Sequence, residues 1–235
     1  MNNPKNIVIT GASSGIGYFT ALNLCSKGHN IYAIARNKEK LQKLKEESKN
    51  LKGNITIIPF DLAQFDKTIL EKKLNNVLII DILINNAGIL LNKPFLEIQE
   101  AEITEVLNVN YISVIKMIQY IYPKIKKSKI AHIVNVGSVG GVAGSVKFPG
   151  LSIYSSSKGA LSILSECLAE EFKEDNVKVN CLALGSVNTN MLKKAFPEYI
   201  SQTQPKEMAE FIGQFSLSGA NIMNGTTQIA SNSNP

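Results

Sequence analysis

Lys5-Asn6-Ile7-Val8-Ile9-Thr10-Gly11-Ala12-Ser13-Ser14-Gly15-Ile16-Gly17 is the stretch on which the fold turns. Lys5 to Thr10 is a short β-branched run that ends at a glycine, the pattern of a buried strand. An apolar-periodic run, Phe19, Leu22 and Leu24, leads to Gly28 and reads as helix. Strand, glycine-rich turn and helix in immediate succession are the context in which such glycines hold a dinucleotide. Gly11 permits the tight turn, Gly15 lets backbone approach a pyrophosphate, and Gly17 lets the helix pack close to the sheet. The turn positions Ser13, Ser14 and Ile16 then lie at a helix N-terminus, where unpaired N–H groups and the positive end of the helix dipole favour an anion.

Beyond this unit, strand and helix alternate. Strands are expected at Asn30 to Ala35, Asn54 to Pro59, Ile80 to Ile84, Ile130 to Val136 and Val177 to Ala183, with a seventh from Thr226 to Ala230. Helices are expected at Lys38 to Lys49, Asp66 to Leu74, Ala101 to Lys126 and Ser152 to Phe172. Continuous apolar strands between amphipathic helices imply a parallel sheet covered on both faces. The fold class is therefore α/β: one doubly wound Rossmann-type domain over residues 1–235, with about seven parallel strands and helices on both faces. No internal linker, low-complexity segment or repeat divides the chain.

Composition narrows the function. With 44% apolar and 19% charged residues, the 235-residue chain has the balance of an ordinary globular protein able to bury a sizeable core. No run reaches membrane-spanning length, and Met1-Asn2-Asn3-Pro4-Lys5 leads into a strand with no room for a signal peptide; a cytoplasmic protein with no membrane partner is expected. Cys25, Cys167 and Cys181 are odd in number and far apart, the pattern of buried reduced thiols. His29 and His132 are too few and too separated for a metal site. The net charge of +6 comes from lysines scattered over helix faces, with no arginine-rich segment or aromatic platform for nucleic acid.

The strand ends carry the unusual residues, where a doubly wound sheet binds ligands. Arg36 follows the second strand and no acid stands at Ala35; an arginine there suits a ribose 2′-phosphate, which favours NADP(H) over NAD(H). Asp61, followed by Leu62, either accepts from an adenine amino group or caps the next helix. Asn86, Ala87 and Gly88 follow the fourth strand where a cofactor would run. Tyr154 and Lys158 stand four apart on a helix, one turn apart on one face, and a fixed ammonium there would lower a phenol from its ordinary value near ~10.

Together these residues resemble the short-chain dehydrogenase/reductase family over nearly the whole chain. Thr10-Gly11-x-x-x-Gly15-x-Gly17 resembles its cofactor turn, Asn86-Ala87-Gly88 its Asn-Ala-Gly, and Tyr154-x-x-x-Lys158 its active-site pair. Asn110, within the long helix, and Ser138, at the end of the fifth strand, match its other two catalytic positions. Leu184-Gly185-Ser186-Val187-Asn188-Thr189 resembles its Pro-Gly-x-Val-x-Thr, so Val187 and Thr189 are expected at the nicotinamide carboxamide. The resemblance implies hydride transfer between NADP(H) and a small carbonyl or secondary alcohol, with Tyr154 as general acid/base. Lys158 would bind ribose hydroxyls and lower the tyrosine pKa, Ser138 would hold the substrate oxygen, and Asn110 would hold a water that supplies protons. It also implies a homodimer or homotetramer through the helices around Asn110 and Lys158, with Ile118, Ile121, Leu164 and Leu168 available for contact.

Three features depart from the family pattern. The sixteen residues from Ser138 to Tyr154 exceed its usual interval, so Gly140 to Gly150 should carry an insertion beside the substrate. Leu184 replaces a proline, and the C-terminal segment lacks the usual Asp-Gly-Gly. Residues 190–205 are expected to form a short substrate lid bearing Met191, Leu192, Phe196 and Tyr199. The leading functional expectation is an NADPH-dependent carbonyl reductase. Reduction of a 3-oxoacyl group on an acyl carrier protein is the alternative within the same chemistry, weakened by Glu174-Asp175 in the loop where a basic patch would help. A non-catalytic dinucleotide-sensing scaffold lies outside it, and the presence of both Tyr154 and Lys158 speaks against that.

Overall fold

Alternation along the first strand divides the core in two. In β1 (Asn6–Thr10), Ile7 and Ile9 pack into one apolar cluster and Val8 into another on the opposite face of the sheet. The computed structural model describes residues 3–232; Met1 and Asn2, part of the expected leaderless N-terminus, and residues 233–235 lie outside the described residues. Seven parallel strands form one sheet in the order β3-β2-β1-β4-β5-β6-β7. They are β1, β2 (Asn30–Ala35), β3 (Asn54–Pro59), β4 (Ile82–Asn85), β5 (His132–Ser138), β6 (Lys178–Leu184) and β7 (Thr227–Ala230). Three of them, β4, β5 and β6, run one or two residues later than the apolar runs suggest; β4 and β5 continue into the polar residues Asn85 and Ser138.

Helices α1 (Gly15–Ser26), α2 (Lys38–Glu47) and α8 (Pro205–Ser218) cover the Ile7/Ile9 face. Helices α3 (Lys67–Leu74), α5 (Ser113–Ile125) and α6 (Ser152–Glu171) cover the Val8 face. The remaining two, α4 (Glu100–Leu107) and α7 (Asn190–Ala195), stand near the strand C-termini. Among the described residues no helix is long and apolar enough to cross a membrane, and no group of His, Cys, Asp or Glu could hold a metal ion.

Four expectations change. The long helix expected over Ala101 to Lys126 is interrupted by a π turn at Asn108–Ile112, which separates α4 from α5. Ile118 and Ile121, expected at a surface for a second copy, are 2% and 0% exposed and belong to the core; Leu164 and Leu168 are half-buried against it. Cys167 is exposed, unlike Cys25 and Cys181. Helix α8 has no counterpart in the sequence reading. Its signal was present: Gln204 and Glu207 form a reciprocal capping box with Pro205 in the first turn, and Met208, Ile212 and Phe215 repeat at helical spacing.

The edge of the sheet is fastened by buried polar residues. In β6, the Asn180 Nδ2 donates to the Met223 carbonyl (3.1 Å) and meets His132 Nε2 (3.0 Å), while its Oδ1 accepts from the Thr226 N–H and hydroxyl. His132 Nδ1 faces the Ser216 carbonyl at 3.0 Å, and burial lowers the imidazole pKa to about 4, so the ring is neutral, donating to Ser216 and accepting from Asn180. Asn180 and His132 together thus join β5, β6, α8 and the residue before β7. Replacing Asn180→Leu strands several buried donors and acceptors at once and is expected to cost about 3 kcal/mol in urea unfolding. A loss below about 0.5 kcal/mol would contradict this account.

Candidate active site

Chain order reverses between β1 and β4, and a crevice opens there at the strand C-termini. The loops after these two strands are stitched together. The Thr10 hydroxyl accepts from the Asn86 and Ala87 N–H groups, both at 3.1 Å, and Asn86 Nδ2 donates to the Thr10 carbonyl at 3.0 Å. Gly11 has φ +69°, and a Cβ there would come within 2.8 Å of the Ala87 Cα. A Cβ on Gly17 would stand 2.4 Å from Asn86 Nδ2 and 2.5 Å from the Gly11 carbonyl oxygen. Gly17 therefore makes room for the neighbouring loops, where the sequence pointed to the sheet.

The cleft has a volume of about 590 Å³, in the range of small-molecule sites. Its residues fit a dinucleotide. Gly15 begins α1 with φ +58°, and Ser14, the residue before it, makes no side-chain cap. No acidic residue stands in the first turn, so the helix end presents N–H groups and positive dipole to the cleft, which Gly11, Ser13, Ser14, Gly15 and Ile16 line. Arg36, Asp61 and Leu62 line one end. Arg36 is exposed and takes part in no ion pair among the described residues. Asp61 is not a helix cap: its Oδ1 accepts from the Ala63 N–H (2.9 Å), and Asp66 caps α3 through the Thr68 N–H (2.9 Å). Val187 and Thr189 line the cleft, with the Thr189 methyl facing the Gly15 side across it and its hydroxyl accepting from the Leu192 N–H to cap α7.

At the other end, Tyr154 and Lys158 project from the first turns of α6 beside Ser138, the last residue of β5. Burial raises the Tyr154 phenol pKa above its ordinary value, outweighing the neighbouring Ser138 hydroxyl, which favours the phenolate. The expected lowering by Lys158 is not what this geometry gives. Lys158 is 4% exposed, its Nζ donates to the Val136 carbonyl at 2.7 Å, and burial lowers its pKa to about 8. The Tyr154 shift is set by burial and by Ser138, and Lys158 is not among its causes.

Asn110 differs from expectation too. It is fully buried in the π turn, and its amide clamps Ile89, accepting from the N–H (2.8 Å) and donating to the carbonyl (2.9 Å). Its remaining donor goes to Ser157 Oγ (3.1 Å), which donates to the Tyr154 carbonyl (2.7 Å). The side chain is thus a strut between the β4 loop and the Tyr154 turn, not an open water site. One contributor was not singled out in the sequence. Ser157, one of three consecutive serines, carries no local signal. At Gly88, placed on the cofactor path by the sequence, a Cβ would stand 3.3 Å from Asn110 Oδ1 and 3.4 Å from Lys158 Nζ, so a side chain there would press on both groups.

The substrate side is apolar, with Ile89, Leu90, Val139, Phe148, Leu151, Met191, Leu192 and Phe196 among its lining residues. Gly140 and Gly141 do not belong to the protruding loop. They form a turn against α6, where a Cβ on Gly141 would meet the Gly159 N and Lys158 C at 2.6 Å. The lid residue Tyr199 does not line the cleft; its hydroxyl meets Ser186 Oγ at 2.9 Å.

The Lys158 shift makes a pH prediction. The folded chain releases this proton at about 8, whereas an unfolded lysine holds it to about 10.4, so the unfolded state binds more protons between the two values. Stability from this group therefore rises with pH across that window. Relative to Lys158→Met, the wild type should gain about 1 kcal/mol in unfolding free energy between pH 8 and 9. A difference that is flat or falls with pH would overturn the assignment.

Comparison with known proteins agrees with the site. The short chain dehydrogenase family model matches residues 5–200. The 3-oxoacyl-acyl-carrier-protein reductase of Thermotoga maritima is 32% identical over 221 residues, covering 88% of each chain. The 11-beta-hydroxysteroid dehydrogenase-like 3 protein of Arabidopsis thaliana is 33% identical over 193 residues, 80% of this chain but 60% of the relative's length. A solved short-chain type dehydrogenase/reductase from Mycobacterium marinum superposes with a TM-score of 0.88 over 97% of this chain and 94% of that one, at 22% identity, which speaks for the fold. The seven-stranded sheet, the glycine turn at its switch point and these matches together make the chain a member of the short-chain dehydrogenase family, oxidoreductases that act on CH–OH and C=O groups with a nicotinamide dinucleotide.

Proposed function

We propose that the chain is an NADPH-dependent reductase of small or medium apolar carbonyl compounds. The observation that carries this reading is Tyr154 beside Ser138 and a buried Lys158, in a cleft whose substrate side is apolar. When bound, the reduced nicotinamide supplies a hydride to the carbonyl carbon. Tyr154 gives the carbonyl oxygen a proton as general acid, and its raised pKa keeps that proton in place until the oxygen becomes basic. Ser138 holds the same oxygen and stabilises its developing charge. Lys158 binds ribose hydroxyls as an ammonium, the form it holds below its pKa of about 8. Asn110 and Ser157 keep the Tyr154 turn in position. Arg36, exposed at the cleft end without an acidic partner, favours a 2′-phosphate over a free 2′-hydroxyl.

Similarity to the Thermotoga maritima reductase along 88% of both chains favours a second reading, reduction of a carrier-linked 3-oxoacyl group. An acidic carrier would need basic residues near the cleft, for which Lys126, Lys127 and Lys129 are available; against it, Lys126 is paired with Asp175 at 3.5 Å and lies over the Tyr122 ring.

A panel of apolar ketones, carrier-linked 3-oxoacyl thioesters and their free counterparts, followed through NADPH and NADH absorbance, tests both readings. Free ketones should turn over with NADPH, and Tyr154→Phe should lower kcat by about 10²–10⁴ without loss of NADPH binding. Arg36→Asp should weaken NADPH relative to NADH by about 10–100-fold. Turnover confined to the carrier-linked substrate would replace the first reading by the second, and full activity in Tyr154→Phe would defeat both.

A further inference from the structure

Three segments from three different strands bound the substrate end of the cleft, and they meet at Asn92. Its Nδ2 donates to the Ala195 carbonyl at 2.7 Å, at the last residue of α7. Its Oδ1 lies against Gly150, where φ is +84° and a Cβ would stand 2.0 Å from that oxygen. The Lys93 N–H donates to the Gly150 carbonyl at 3.0 Å, and the Lys93 ammonium pairs with Glu102 of α4 at 2.8 Å. From the two segments joined in this way, Phe148 and Phe196 meet edge to face, with ring centroids 6.4 Å apart and planes at 69°, and both rings line the cleft. Asn92 itself lies outside the lining.

A six-residue helix such as α7 cannot hold itself in water, so its place depends on what takes its ends. Thr189 caps the first turn. At the far end the carbonyls have no partner within the helix, and Asn92 supplies one from a segment 103 positions earlier in the chain. The same amide presses on Gly150, which carries the C-terminal end of the loop that bears Phe148.

We propose that Asn92 is a positioning residue that latches the loop over residues 142–150 to α7, holding Phe148 and Phe196 as one wall and so setting which carbonyl compounds fit beside Tyr154. The consequence for substrate choice rests on the carbonyl-reductase reading; the latch itself does not. Asn92→Asp keeps the shape of the side chain but turns an acceptor toward the Ala195 carbonyl, and Asn92→Ala removes both contacts.

In either variant, amide hydrogen exchange in residues 192–196 should accelerate about fivefold, with the core strands unchanged. With an apolar ketone that the wild type reduces, KM should rise about fivefold while kcat and NADPH affinity stay within about twofold. Because the amide and the ring act on one wall, adding Asn92→Asp to Phe196→Ala should raise KM less than about twofold further. Unchanged exchange in both variants overturns the latch. Equal losses in kcat and NADPH affinity, or fully additive effects with Phe196→Ala, overturn its role in substrate choice. A wild type that turns over no ketone fails the reductase reading instead, and the exchange measurement still decides the latch.

Discussion

A buried ammonium held by one backbone carbonyl is the constraint around which the active end is built. Lys158 sits at 4% exposure with Nζ bonded to the Val136 carbonyl, and no carboxylate pairs with it among the described residues. Removing a cation from water without an anion is costly, and here the cost appears as a pKa lowered to about 8. A group in that condition favours any ligand that brings negative charge or hydroxyl acceptors near it. The bare chain is thus primed for a dinucleotide at both ends of the cleft, by the α1 N-terminus at one and by Lys158 at the other.

Holding Lys158 there requires that neighbouring backbone come unusually close. Gly88 passes between Asn110 and Lys158, Gly141 packs against the backbone at Lys158 and Gly159, and Gly17 packs against Asn86 and Gly11. At Gly141 and Gly17 a methyl group would need space that neighbouring atoms already fill, and at Gly88 it would press on Asn110 Oδ1 and Lys158 Nζ. The glycines of this site therefore act less by freeing the backbone than by letting three loops and two helices meet; Gly11 and Gly15 are the ones whose φ also demands glycine.

This explains which parts of the molecule were legible in the sequence. Period and turn chemistry are local, so the strand–turn–helix at Lys5 to Gly17, the parallel sheet implied by strand–helix alternation and the Tyr154/Lys158 spacing could all be read directly. Properties set by distant neighbours could not. Spacing placed a cation near a phenol, but which group burial would shift, and in which direction, depended on Val136 and the turn at Val139–Gly141. The π turn at Asn110 is invisible to a pattern of apolar residues because one extra residue per turn leaves the flanking helices individually regular. Helix α8 was legible and was missed: its capping box and Met208, Ile212, Phe215 spacing follow a segment read only as a lid.

Chemistry and specificity draw on different kinds of structure here. Tyr154, Lys158 and Ser138 stand on the first turns of a twenty-residue helix and the end of a central strand, elements whose position is fixed by the core. The wall facing the substrate stands on a loop and a six-residue helix, which the core does not hold and which depend on contacts such as those of Asn92 and the Phe148–Phe196 pair. On the proposed reading, a substitution in the first set alters proton transfer whatever the substrate. A substitution in the second moves a wall by breaking contacts of about 1 kcal/mol each, small against the stability of the sheet. Substrate range can therefore shift through the rim while the reacting groups stay where the strand and helix put them.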